Sequence, residues 1–182
     1  MLILLPPSEK KSLLEGAAIT VYIGVLYQGL GWATLDKVAQ KRAQKSIAII
    51  SAKYGVVRPL DLIAPYKEKI DSAKMRSSIT KELEAIATDL VIDCRSSTYQ
   101  SVWTPPTNKT VEIKIFTQVD GVKNVITHMS KKTRGEVTRL ILLSKNTPTN
   151  PHELREIVSS VFECELFEAT GKKPWVLEVI AQ

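Results

Sequence analysis

Three short runs in this chain are apolar at nearly every position and stop abruptly in polar residues. They are Met1-Leu-Ile-Leu-Leu5, Ile47-Ala-Ile-Ile50 and Leu90-Val-Ile-Asp-Cys94. A strand with one wet face alternates apolar and polar residues, whereas a run that does not alternate is buried on both faces. The three runs therefore predict buried strands of a central sheet with helices flanking it, a mixed α/β (α+β) fold. Each run delivers a polar cluster: Ser8-Glu-Lys-Lys11 after Pro6-Pro7, the segment Ser51 to Tyr66, and Asp93 to Tyr99. In open α/β sheets, ligands bind outside the carboxyl ends of the strands. If the three strands are parallel neighbours, the three clusters converge on one crevice.

The middle cluster is the densest. Ser51, Lys53, Tyr54, Arg58, Asp61 and Tyr66 crowd into the exit from the second run. Gly55 permits a turn that other residues resist. Pro59 and Pro65 stiffen the path and push Arg58 and Ala64 toward extended backbone. Arg58 and Asp61 either pair and brace the loop or face a ligand. A fourth cluster is His128-Met-Ser-Lys-Lys-Thr-Arg-Gly135, within a stretch from Lys123 to Lys145 that holds six Lys or Arg and one acid. A helix start welcomes anions, so Lys131, Lys132 and Arg134 read as a phosphate site or as a solvated basic face. His128 is expected to end a strand beside them. The combined set of ligand or DNA contacts is Ser8, Lys10, Lys53, Tyr54, Arg58, Asp61, Tyr66, Asp93, Arg95, His128, Lys131, Lys132 and Arg134.

Periodicity supplies the other elements. Residues 21–26 read as a short strand or the start of a helix. Helical spacing covers 33–45, with Leu35, Val38, Ala39 and Arg42 on the inner face, and 72–88, with Met75, Ile79, Leu83 and Ile86 inward. Runs 110–119 and 123–127 flank Asp120-Gly121, a hairpin-turn signal. A helix over 129–144 points Val137, Leu140, Ile141 and Leu143 inward. Asn150 before Pro151 predicts a capped helix over 151–162. Runs 163–168 and 175–180 suggest a closing hairpin around Gly171-Lys-Lys-Pro174.

Length and composition set the limits. The 182 residues, 44% of them apolar, fit a single domain over 1–182 with a real core. A net charge of +6 is compatible with a polyanionic partner. Two cysteines, Cys94 and Cys164, and two histidines, His128 and His152, give no metal-ligand spacing, so neither a metal nor a cofactor is expected. Both cysteines read as inert, and a cytoplasmic location follows. Met1 to Leu5 is too short for a membrane span, and no membrane partner is expected. The sequence has no Walker phosphate loop, dinucleotide glycine fingerprint or nucleophile elbow. Residues 27–39, with Gly29-Leu-Gly31 before an amphipathic stretch, superficially resemble the hairpin of a helix-hairpin-helix DNA-binding motif.

Five blocks resemble the YaaA family of peroxide-stress proteins. They are Met1 to Lys11, Val21-Tyr-Ile-Gly-Val-Leu-Tyr27, Ser51 to Asp61 with Pro65-Tyr66, Val91-Ile-Asp-Cys-Arg-Ser-Ser97 with Tyr99, and His128 to Gly135. They follow the family's order, and the Pro-Pro-Ser-Glu form of the first is similar to the actinobacterial branch. The resemblance implies a cytosolic mixed α/β protein that protects against hydroperoxide damage and binds DNA through a basic cleft, with no established reaction. The chain departs from the pattern in one place. Family members carry some tens of residues more, including the helix-hairpin-helix element, where only Ser12 to Thr20 stand here. Two functional classes follow. One is a protein that binds DNA without regard to sequence under hydroperoxide stress. The other is an enzyme acting on a nucleotide, nucleobase or other phosphate-bearing small molecule in a pocket at the strand ends.

Overall fold

In the first strand, β1 (Leu2–Leu5), all four side chains are buried, because the strand is covered on both faces. A computed structural model of the chain describes residues 1–119 and 122–181. After β1 come β2 (Gly16–Ala17), α1 (Ala18–Val21), α2 (Val25–Leu30), a 3-10 turn (Trp32–Thr34) and α3 (Lys37–Ser46). Then follow β3 (Ile47–Ser51), β4 (Gly55–Val57), β5 (Leu62–Ile63), α4 (Ser72–Glu84), β6 (Val91–Asp93) and α5 (Ser97–Gln100). The remainder is β7 (Thr110–Val119), β8 (Val122–Asn124), α6 (Thr127–Leu143), α7 (Pro151–Ser159), β9 (Cys164–Phe167) and β10 (Trp175–Ile180).

The main sheet runs β4-β3-β1-β6-β7-β10-β9, with β8 paired to β7. Its five inner strands, β3, β1, β6, β7 and β10, are mutually parallel. β4, β9 and β8 are antiparallel additions. The three apolar runs are thus parallel neighbours, and their carboxyl ends share one edge of the sheet. Side chains alternate across β1. Ile3 and Leu5 enter a core with α2, α3 and α6, while Leu2 and Leu4 enter a second core with Ile79 and Leu83 of α4.

Several boundaries differ from the periodicity, for local reasons. Of residues 21–26, Val21 ends α1, Val25 and Leu26 open α2, and Tyr22 between them makes an isolated antiparallel bridge to Lys11. α3 starts at Lys37 because the Asp36 carboxylate accepts the Ala39 N–H at 2.7 Å. Its inner face is Leu35, Ala39 and Ala43, and Val38 is 68% exposed. α4 ends at Glu84, short of Thr88. α6 begins at Thr127, so β8 stops at Asn124 and His128 sits in the helix's first turn instead of ending a strand. Val137 and Ile141 are buried, but Leu143 at the last turn is 43% exposed. The expected Asp120-Gly121 turn lies outside the described residues, while the flanking strands pair antiparallel through Gln118 and Lys123. Asn150 caps α7 as expected, accepting from His152 N and Glu153 N at 3.1 and 3.0 Å, although the helix ends at Ser159. β9 and β10 form the closing antiparallel pair, and β10 also joins β7 in parallel.

The crossing of α2 and α6 sets the position of the fourth polar cluster. A Cβ on Gly135 would land on the Leu26 carbonyl, and one on Gly29 would land on the Lys132 carbonyl. Two glycines therefore allow backbone-to-backbone packing of the helices. Gly29 is used for this contact inside α2.

Candidate functional site

A cleft of about 660 Å³ opens at the carboxyl end of the parallel strands. Its walls are the exits of β1 and β6, the segment after β5, the start of α2 and one face of α6. After β1, Pro6-Pro7 breaks the ladder, and the Pro6 carbonyl accepts the Tyr27 hydroxyl at 2.8 Å. Ser8 Oγ donates to the Lys10 carbonyl at 2.6 Å. Ser8 packs so closely on Gly24 that any side chain there would collide with it.

After β3, Ser51 organises the exit. Its buried Oγ accepts from Lys53 N at 3.2 Å and Tyr54 N at 3.0 Å, and donates to the Tyr66 hydroxyl at 2.9 Å. That phenol also accepts from Ala52 N at 3.3 Å, leaving its own proton for the Tyr22 hydroxyl 2.8 Å away. Tyr66 thereby ties the segment after β5 across the end of the sheet, where Lys67, Glu68, Lys69 and Ile70 form one side of the cleft. Lys11 places its ammonium 4.0 Å from the centre of the Tyr66 ring and 5.8 Å from that of Tyr22, a cation–π arrangement. Tyr22 contacts Tyr27 and Tyr66, and Tyr54 stands edge-on to Tyr66. Tyr99 lines the far side, so all five tyrosines of the chain gather here.

Burial shapes the ionisation of this wall. It pushes the Tyr99 phenol up to about 12, and raises those of Tyr22 and Tyr27 further. Burial also lowers the Lys11 ammonium below the usual lysine range, against the opposing pull of Glu68 and Glu9. The Cys94 thiol, buried at the exit of β6, is pushed up to about 12 by the same cause. It is in the inert form expected from the sequence.

The structure divides the thirteen sequence candidates. Ser8, Lys10, Tyr66, Lys131 and Arg134 line the cleft. Lys53 and Tyr54 stand just behind its wall, where Lys53 reaches Glu68 at 3.7 Å. Arg58 points away and donates to the Ile47 carbonyl, at the opposite end of β3, at 3.0 Å. Asp61 accepts the Arg58 backbone N–H at 2.6 Å, so the two residues close a turn through the main chain. Asp93 and Arg95 form a buried two-pronged pair at 2.9 and 2.7 Å. Arg95 also donates to the Tyr99 and Trp103 carbonyls, and the pair borders a separate pocket of about 140 Å³. His128 is exposed on the first turn of α6, and Lys132 pairs with Glu136 at 3.2 Å on that helix's outer surface.

Lys11, Tyr27, Tyr99 and the 67–69 segment are cleft residues that the candidate set omits. The one signal available for them is the placement of the scarce tyrosines beside the strand ends. Altogether the cleft is lined by six lysines and arginines against two carboxylates, Glu9 and Glu68, which accounts for four of the chain's six net positive charges. Arg134 differs from five of the chain's other six arginines. The guanidinium groups of Arg42, Arg58, Arg76, Arg95 and Arg139 all donate to backbone carbonyls. The Nε–H of Arg134 is shielded from solvent and has no acceptor among the described residues. An unpaired, shielded donor on a charged group costs on the order of 1–3 kcal/mol, and an anion in the cleft would relieve that cost.

Comparison with known proteins places these residues in a family context. The sequence pattern of the family described as "Peroxide stress protein YaaA" matches residues 7–166. The UPF0246 protein SCO2297 of Streptomyces coelicolor is 31% identical over 175 residues, covering 88% of this chain and 66% of that protein. The UPF0246 protein Cgl1995/cg2186 of Corynebacterium glutamicum is 32% identical over 172 residues, covering 85% and 68%. The UPF0246 protein IL2146 of Idiomarina loihiensis is 33% identical over 159 residues, covering 76% and 60%. The chain therefore spans about two thirds or less of the length of the curated relatives it matches.

Proposed function

The chain belongs to the YaaA family of peroxide-stress proteins, and from that premise we propose that its cleft binds DNA without sequence preference in the cytoplasm during hydroperoxide stress. The observation that carries the proposal is the concentration of positive charge at the cleft, six cations to two carboxylates. Lys10, Lys67, Lys69 and Lys131 are exposed around it and can follow a phosphate backbone. No base-reading module is recognisable among the described residues, so affinity comes from phosphate contacts and counterion release. Protection through a reactive Cys94 is disfavoured, since its thiol is buried and hard to ionise. Among the described residues, no helix is long and apolar enough to cross a membrane. The test is a titration of labelled duplex and single-stranded DNA at low and physiological ionic strength. Affinity is expected to fall steeply and linearly in log–log form as salt rises. Salt-independent binding, or no binding at low salt, would remove the proposal.

A second reading, an enzyme acting on a nucleotide, nucleobase or other phosphate-bearing small molecule, is favoured by the size of the cleft. Its 660 Å³ falls within the span of about 300–1,000 Å³ typical of small-ligand sites. Lys11, with its lowered basicity and its place against Tyr66, is the group on which that chemistry would centre. Incubation with a nucleotide panel, followed by product analysis, separates the readings.

A further inference from the structure

We propose that Arg134 and Lys131 form a subsite for a phosphate monoester presented end-on, with its sugar and base lying against the tyrosine wall. The proposal rests on the reading of the cleft as a polyanion site and specifies which kind of phosphate reaches its interior.

Four observations converge on it. Arg134 lines the cleft, and its shielded Nε–H has no acceptor, whereas five other arginines are occupied by carbonyls. Its positive charge acts on the buried Cys94 thiol at the exit of β6, easing that group's ionisation against the larger effect of burial. Lys131 precedes Arg134 by three residues on α6 and shares its face, so two positive charges act together. The two carboxylates do not compete. Glu68 is engaged by Lys53 and by its own backbone turn, and Glu9 is exposed.

The choice of a monoester follows from reach and charge. A phosphate inside a strand carries a nucleotide on each side, so it reaches Arg134 only together with both neighbours. A terminal phosphate, or that of a free mononucleotide, enters alone. A phosphate monoester carries close to two negative charges near neutral pH, matching the Arg134 and Lys131 pair, whereas a diester carries one. Tyr27, Tyr66 and Tyr99 line the same space, and the half-buried Tyr99 offers aromatic surface to a sugar or base.

The experiment uses the full chain and two kinds of ligand. Single-stranded oligonucleotides of one sequence, with 5′-phosphate, 3′-phosphate or hydroxyl ends, are compared by fluorescence anisotropy. Adenosine monophosphate, adenosine and inorganic phosphate are compared by calorimetry. A phosphorylated end is expected to bind about tenfold tighter than a hydroxyl end, and the mononucleotide to bind where the nucleoside does not. Arg134→Met should erase the advantage of the phosphate, while Arg134→Lys, which keeps the charge, retains part of it. Lys131→Met provides a second variant if Arg134→Met does not fold. Arg134-dependent binding of the mononucleotide, with no advantage for a phosphorylated strand end, would support the subsite and identify its source as a small molecule. Equal binding of all strand ends with no mononucleotide binding would overturn the subsite yet leave the DNA reading standing. Absence of binding by any nucleic acid or mononucleotide would overturn both.

Discussion

Arg95 and Arg134 lie on either side of the same strand exit and illustrate opposite uses of one residue type. Arg95 is almost completely buried, holds Asp93 with two prongs, and donates to the carbonyls of Tyr99 and Trp103. It fastens the exit of β6 to the loop behind it. Arg134 faces the cleft with an Nε–H donor that has no acceptor among the described residues. Both are basic, and both were singled out by position. The completeness of its partners marks Arg95 as structural, and the open donor of Arg134 is what the proposed ligand subsite rests on.

The sharpest way to break that contrast is Asp93→Ala. It strands a buried guanidinium, and breaking such a pair costs on the order of 3–5 kcal/mol. Urea denaturation measures the loss, and a cost under about 1 kcal/mol would return the pair to the class of exposed bridges. Next in size is Gly135→Ala, which drives a methyl into the Leu26 carbonyl across the α2–α6 crossing. Overpacking of this kind typically costs about 1–3 kcal/mol. Because Arg134 is the preceding residue, the proposed DNA affinity should fall together with thermal stability. Unchanged stability would show that the helices separate without penalty.

The tyrosine wall supplies a pH test. The raised phenols of Tyr22, Tyr27 and Tyr99 keep their protons in the folded protein after an unfolded chain has begun to lose them near 10. Fewer protons are then bound in the unfolded state, so stability falls as pH rises above 10 and continues to fall through 12, the value for Tyr99. Lys11 works in the opposite direction, since its lowered basicity favours folding as pH climbs toward 10.5, but it is one group against three. Tyrosinate absorbance followed alongside circular dichroism should show these phenols ionising only as the fold is lost. Full ionisation of all five tyrosines near 10 in a folded protein would contradict the burial. The smallest loss is expected for Arg134→Met, which removes the unsatisfied Nε–H and strands no acceptor for it among the described residues, so stability should hold or rise. A loss matching that of Asp93→Ala would erase the contrast between the two arginines.

Much of the fold was legible from local pattern. The nearly continuous apolarity of residues 2–5, 47–50 and 90–94 located three buried strands, and the Asn150-Pro151 pair located a helix start. The convergence of their polar exits followed once the strands proved to be parallel neighbours. Half of the site was less accessible. Arg58 and Asp61 carry the residue types of a binding cluster, yet Arg58 braces the far end of β3 and Asp61 closes a turn. Lys11 and Tyr99 matter to the cleft without any motif of their own.

The reason is the range of the forces involved. Strand burial, capping and turn chemistry depend on residues within a few positions of one another, so the sequence alone determines them for this protein. The assignment of partners depends on groups far apart in the chain. Tyr22 meets Tyr66 across 44 residues, and Arg139 meets the Leu30 carbonyl across 109. Hydrogen-bond donors are consumed wherever packing happens to bring an acceptor, and no local periodicity records that. Folding in three dimensions alone could leave the Arg134 Nε–H without an acceptor among the described residues while Arg42, Arg58, Arg95 and Arg139 found their carbonyls.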